Sequence, residues 1–220
     1  MNSILELLSQ CRLFHGMDLS ILQKELLPHG SIKKYIKGSY ILYPQEEQQF
    51  FSLILQGKIQ ILHLFSDGQC SIMDVLEKNE IFGADLICTK SRISPYHAVA
   101  TEDTQLLRFP WSLPFQPNPL SESLRQELQL RLLQMVANFN MQKDYRLAIL
   151  SQKGLRERIM TYLQMQAAKR QVNTFEIPFS RDDLASFLCV NRSALSHELS
   201  KMQQEGLIQF RKNRFTLLDP

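Results

Sequence analysis

Residues 180–218 read SRDDLASFLCVNRSALSHELSKMQQEGLIQFRKNRFTLL, and the caps, apolar steps and breaks in this stretch decide the architecture of the last third of the chain. Ser180 is an N-cap candidate, and Asp182 and Asp183 put negative charge in the first turn, where it favours the helix dipole. Leu184, Phe187 and Leu188 supply an apolar face, and Ala185 leaves room for a crossing helix. The break is short, Cys189-Val190-Asn191. Asn191 can cap a second helix that starts at Arg192 and stops at Gly206. Leu195, Leu199 and Met202 recur at steps of four and three on one side, while Arg192, Ser193, Ser196, His197 and Lys201 lie on the other. Two short helices, a tight turn and a partly basic second helix predict a helix-turn-helix. Beyond Gly206, two apolar runs flank Arg211-Lys212-Asn213-Arg214, which predicts a hairpin with a basic tip: a wing placed to run along a phosphate backbone.

Working upstream, a helix is expected over about residues 155–169, set off by Gly154. Before it, residues 121–151 contain neither Pro nor Gly. Leu124, Leu128, Leu132, Met135 and Phe139 form one apolar stripe there, and Leu130, Leu133 and Val136 form a second beside it. Two stripes imply two packing partners: the neighbouring sheet and a second chain, or two surfaces of one chain. Pro110, Pro114, Pro117 and Pro119 separate this helix from a region of different texture. From Ser31 to Pro110, short apolar runs alternate with turns marked by Gly38, Gly57, Gly68 and Gly83, and Asp67-Gly68 signals a hairpin. Strands are expected at residues 40–43, 51–55, 58–62, 71–76 and 105–109, without long intervening helices, as in an antiparallel sandwich or barrel. Two helices, over residues 2–14 and 18–27, precede it, the second capped by Asp18.

The 220 residues carry 25 Lys and Arg against 22 Asp and Glu. The excess is uneven: residues 1–150 hold 14 basic and 15 acidic side chains, residues 151–220 hold 11 and 7. Positive charge therefore collects beside the helix-turn-helix, as a polyanion partner requires. No apolar run reaches membrane-spanning length, and the N-terminus lacks a signal-peptide pattern, so a cytoplasmic protein is expected. Cys11, Cys70, Cys88 and Cys189 are scattered, which speaks against a disulfide framework or a metal site built from neighbouring ligands. No catalytic cluster with motif context is found, so no catalytic and no metal residue is assigned and a non-enzyme is expected.

The pattern S-R-D-D-L-A-x-x-L followed by V-N-R-S-A-L-S-x-E-L-x-x-M-x-x-E-G-L-I closely resembles the winged helix-turn-helix of the Crp/Fnr regulators. Upstream, C-R-L-F-H-G-M, K-G-S-Y-I-L-Y, L-I-L-Q-G-K-I-Q-I, I-F-G-A-D-L and A-V-A-T-E-D-T-Q-L-L are similar to the family's cyclic-nucleotide-binding-type β-roll. The resemblance implies an α+β chain: an antiparallel β-roll of double-stranded β-helix or jelly-roll type with flanking helices, a long dimerisation helix, and a winged helix-turn-helix. The corresponding boundaries are 1–119, 120–150 and 151–220, with a hinge near 148–154. It implies a homodimer joined through Leu124, Leu128, Leu132, Met135 and Phe139, a palindromic double-stranded DNA operator, and RNA polymerase as a further partner. The DNA-binding set is Ser180, Arg181, Asn191, Arg192, Ser193, Ser196, His197, Lys201, Arg211, Lys212 and Arg214, with Arg192 reading guanine. His197 departs from the family, where many members carry a second base-reading Arg, and Cys189 stands where many carry Gly.

For an effector, the resemblance points to Gly83, Ala84, Asp85 and Leu86 with Arg92, Ser94, Pro95 and Tyr96. Members that bind cyclic nucleotide have Gly-Glu-Leu and then Arg-Ser here. This chain has Gly83-Ala84-Asp85-Leu86 and places Ser94-Pro95 where Arg-Ser would stand, so gating by an unidentified effector or redox signal other than cyclic AMP is expected, with a cyclic-nucleotide-responsive regulator of the same family as the alternative. Only Cys11 lies near the start, unlike the cysteine cluster of the redox members. His15, His29, His63 and His97 give no specific haem ligand, and no cofactor is assigned. The competing readings are an enzyme or ligand-binding subunit, which would need a convergent catalytic cluster, and an adaptor whose winged helix binds protein, which would tolerate loss of Arg192.

Overall fold

The computed structural model describes residues 2–64 and 70–218, so the Asp67-Gly68 turn lies outside the described residues. The chain forms two compact units, residues 1–138 and 139–220.

In the first unit, α1 (Asn2–Gln10) precedes α2 (Leu19–Ile21), capped by the Asp18 carboxylate, which accepts from the Ser20 amide. Leu22–Leu26 then widen into a π-helical turn. Among the described residues eight strands follow: β1 (Ser31–Tyr35), β2 (Tyr40–Leu42), β3 (Phe50–Gln56), β4 (Ile59–Leu64), β5 (Cys70–Leu76), β6 (Ile81–Phe82), β7 (His97–Ala100) and β8 (Thr104–Pro110), with α3 (Ala84–Ile87) inserted after β6. They pair antiparallel in two four-stranded sheets ordered β1-β8-β3-β6 and β2-β7-β4-β5. This is the expected antiparallel roll. The expected strands are present, and β1, β6 and β7 add to them.

Strand β3 explains why its sequence is apolar without alternation: both of its faces are buried. Phe51, Leu53 and Leu55 pack with Phe109 and the N-terminal helices, while Ile54 turns the other way, with Leu42, Ile59, Phe82, Ala98 and Leu106. Each such side chain contributes about 1.5–3 kcal/mol on leaving water. Gly57 turns β3 into β4 with φ of 89°, and a Cβ there would collide with the Thr104 hydroxyl and the Asp103 carbonyl.

Helix α4 (Glu122–Leu150) is continuous across the division between the units. It bears on the expected dimer stripe of Leu124, Leu128, Leu132, Met135 and Phe139. Leu124, Leu128 and Leu132 are 4%, 0% and 1% exposed inside the first unit's own core, and Met135 packs against that core. The surface of the three leucines is already spent on Phe14, Leu22, Leu113 and the other residues of that cluster, while Met135 is only partly buried. Phe139 is half-buried. The stripe left open is the second one: Leu130 is 55% exposed and Leu133 66%.

In the second unit, α5 (Leu155–Arg170) packs through Ile159, Tyr162 and Leu163 on α6 (Arg181–Phe187) and α7 (Arg192–Gln204). Strand β9 (Thr174–Glu176) joins the expected hairpin, β10 (Ile208–Arg211) with β11 (Arg214–Leu217), in a three-stranded sheet ordered β10-β11-β9.

Candidate nucleic-acid interface

The N-terminus of α6 carries a capping box. The Asp183 amide donates to Ser180 Oγ at 3.2 Å, and the Ser180 amide donates to Asp183 Oδ2 at 3.2 Å. The helix ends in a tight turn where Cys189 takes φ of 56° and the Val190 amide reaches the Ala185 carbonyl at 3.0 Å. Asn191 then caps α7, its Oδ1 accepting from the Ala194 amide at 2.7 Å. With Leu195, Leu199 and Met202 fully buried, helical geometry leaves Arg192, Ser193, His197 and Lys201 exposed, and Ser196 partly so. At the wing, Arg211, Lys212 and Arg214 are exposed. The set expected from sequence is thus gathered on α6, α7 and the wing of one unit, but its members differ in what they have free.

Ser180 and Asn191 spend their side chains on capping. Arg181 is tied down: its Nη2 donates to the Lys212 carbonyl at 3.0 Å, and its guanidinium lies over the rings of Phe210 and Phe215, 5.0 and 5.7 Å from their centroids. Burial, and after it the Arg192 cation, lower its proton affinity from the ordinary arginine value. Arg181 therefore fixes the wing to the start of α6. Arg192 is exposed and donates from Nη1 to Asp182 Oδ2 at 3.1 Å.

Three further arginines brace the motif. Arg156 on α5 donates to Glu198 at 2.7 Å and to Glu205 at 2.6 and 3.1 Å, gripping α7 at two successive places. Those bonds hold the Glu205 carboxyl below the usual carboxylate range. Arg146 and Arg158 donate to the Phe187 and Leu188 carbonyls at 3.3 and 3.4 Å, satisfying the C-terminal end of α6. None of the three has a sequence signal, because the partners lie 30 to 49 residues away.

In the roll, Gly83 starts α3 with φ of 82°, and a Cβ there would collide with the Gln48 side chain. Ala84 and Leu86 are buried, and Asp85 faces Tyr96, whose hydroxyl lies 3.4 Å from each carboxylate oxygen. Burial, and after it the Asp85 charge, push the Tyr96 hydroxyl upward. Ser94 is buried, donating to the Tyr96 carbonyl at 2.8 Å, and Pro95 is exposed. Arg92 is engaged elsewhere: it pairs with Glu47 and stacks 3.7 Å from the centre of the Trp111 ring. Among the histidines, His97 contacts the Tyr40 and Tyr43 rings, and His15 Nδ1 lies 2.9 Å from the Ser9 carbonyl. Cys11 is buried, which pushes its thiol upward, while Cys88 and Cys189 are exposed.

Residues 32–113 match the cyclic nucleotide-binding domain family, and residues 157–220 match the Crp-like helix-turn-helix domain family. The global nitrogen regulator of Synechococcus elongatus is 23% identical over 195 residues, covering 86% of each chain. A probable transcriptional activator of Rhizobium leguminosarum bv. viciae is 24% identical over 220 residues, covering 96% of this chain and 88% of the relative. The fold is that of the Thermus thermophilus catabolite activator protein, with a TM-score of 0.55 at 22% identity over 94% of this chain and 93% of that one. A sensor-type roll followed by this helix-turn-helix defines a DNA-binding transcription regulator. The chain belongs to the Crp/Fnr family.

Proposed function

We propose that the chain acts as a homodimer that reads a palindromic operator, one α7 per half-site, under control of its roll. The observation that carries this reading is the exposed cationic face made by Arg192 and Lys201 of α7 together with Arg211, Lys212 and Arg214 of the wing. In this reading Arg192, Ser193, Ser196 and His197 reach base edges, and the wing cations and Lys201 meet phosphates. Ser180, Arg181 and Asn191 shape that surface. His197 replaces a longer, permanently charged reader, so the half-site differs from that of arginine-bearing relatives. The dimer seam is the open stripe of α4, through Leu130 and Leu133.

RNA polymerase is the further partner, and the protein works in the cytoplasm as a regulator and not as an enzyme. Among the described residues no helix is long and apolar enough to cross a membrane. The effector is a small molecule other than cyclic AMP. The engagement of Arg92 with Glu47 and Trp111 supports that reading, because a cyclic phosphate needs a free guanidinium. Enrichment of duplexes from a randomised pool tests the DNA reading. Wild type is expected to enrich a palindrome and Arg192→Ala to enrich none; equal enrichment by both overturns it.

A further inference from the structure

One acidic side chain stands inside the cationic face. Asp182, in the first turn of α6, accepts from Arg192 Nη1 at 3.1 Å, and the contact crosses from the first helix of the motif to the first residue of the second. Its neighbour Asp183 already supplies the carboxylate of the capping box, so Asp182 is not needed to start the helix. Both partners are about two-thirds exposed, at 66% and 65%, so the pair adds little to stability. Resting on the assignment of α7 as the DNA-reading helix, we propose that Asp182 is a positioning residue for Arg192, holding one edge of the guanidinium so that the other edge is presented to guanine.

The geometry of the guanidinium carries this. Its five N–H groups form a rigid planar fork, and guanine O6 and N7 take two parallel donors from it. With Nη1 held by Asp182, the Nε and Nη2 edge keeps such a pair of donors. An unheld, exposed arginine samples many rotamers, and near a duplex most of them lead to phosphate, a contact that carries no sequence information. Arg181 cannot take over the reading role, since the Lys212 carbonyl and two phenylalanine rings hold it. The carboxylate has a second effect. Among phosphates it repels, so it weakens binding to arbitrary DNA while steering Arg192 toward one base. Both effects widen the gap between specific and non-specific binding.

Removing the carboxylate should therefore move the two kinds of binding in opposite directions, which neither an inconsequential ion pair nor simple charge repulsion would do. The test uses the full chain with the palindrome that wild type enriches. Controls are the same palindrome with the Arg192-dependent G·C pair changed to A·T, and a random duplex. Asp182→Asn is expected to lower the preference for G·C over A·T by about tenfold. The same variant should bind the random duplex about threefold more tightly, through loss of one repelling charge. Asp182→Glu, which keeps the charge, should restore part of the preference. In an Arg192→Ala background, Asp182→Asn should change the preference by less than about twofold. Thermal melts of each variant establish that the unit stays folded. A G·C preference within about twofold of wild type in folded Asp182→Asn overturns the proposal while leaving the DNA reading intact. Failure of wild type to enrich any sequence overturns both.

Discussion

Cys189 holds φ of 56° in the turn between α6 and α7, a conformation in which a Cβ costs about 1 kcal/mol relative to glycine. Cys189→Gly is therefore expected to raise the melting temperature by about 3 °C, read by circular dichroism; an unchanged or lower midpoint contradicts the strain. A second residue-level contact fixes the start of α4: Glu25 Oε2 accepts from the Ser121 amide at 2.8 Å, and that bond holds the Glu25 carboxyl below its usual range. A lowered carboxylate stabilises the fold above its unfolded value and loses that effect as pH falls through its folded value. The stability gap between wild type and Glu25→Gln should thus be full above about pH 5 and narrow as pH falls below that, measured by denaturant midpoints. A gap independent of pH would contradict the assignment. The caps at Asp18, Ser180 and Asn191 were legible in the sequence because each acts within three residues of itself. The partners of Arg92, Arg156 and Arg192 were not, since contacts between elements leave no mark in local spacing.

Helix α4 shows where pattern reading stops. Its two stripes were visible, but which one meets the roll depends on how the helix is rotated about its own axis, and the sequence does not record that rotation. Leu128 faces inward at 0% exposure and Leu133 outward at 66%. Leu128→Ala should destabilise the first unit by about 2–5 kcal/mol and leave the association constant nearly unchanged. Leu133→Lys should leave the melting temperature of the protomer near wild type and shift the sedimentation equilibrium toward monomer. A Leu133→Lys protein that sediments as wild type would contradict the open stripe as the seam. Among strands, β3 was legible as an apolar run bounded by Gly57. Strand β1, SIKKY, was not, because four of its five residues are exposed and pairing with β8 alone holds it extended. Strand β7, HAVA, was hidden by its two alanines, small side chains that are both fully buried.

At the scale of the whole chain, the order of roll, long helix and winged helix-turn-helix was legible because the C-terminal motif combines caps, breaks and apolar steps in one continuous stretch. The sensor's ligand was not, because the departures at Asp85 and Ser94-Pro95 exclude contacts without naming new ones. The fold accounts for DNA reading through charge: the roll-bearing part is nearly neutral and the last 70 residues carry 11 basic against 7 acidic side chains. The most direct measurement is a fluorescence-polarisation titration of wild type and Arg192→Ala against the enriched palindrome and a scrambled duplex, at about 50 and about 200 mM salt. The expected result is selective wild-type binding that weakens on the order of a thousandfold between those salts, with selectivity abolished in Arg192→Ala. Equal affinities of both proteins for both duplexes, with little dependence on salt, would contradict the assignment of α7 and the wing as the DNA-reading surface.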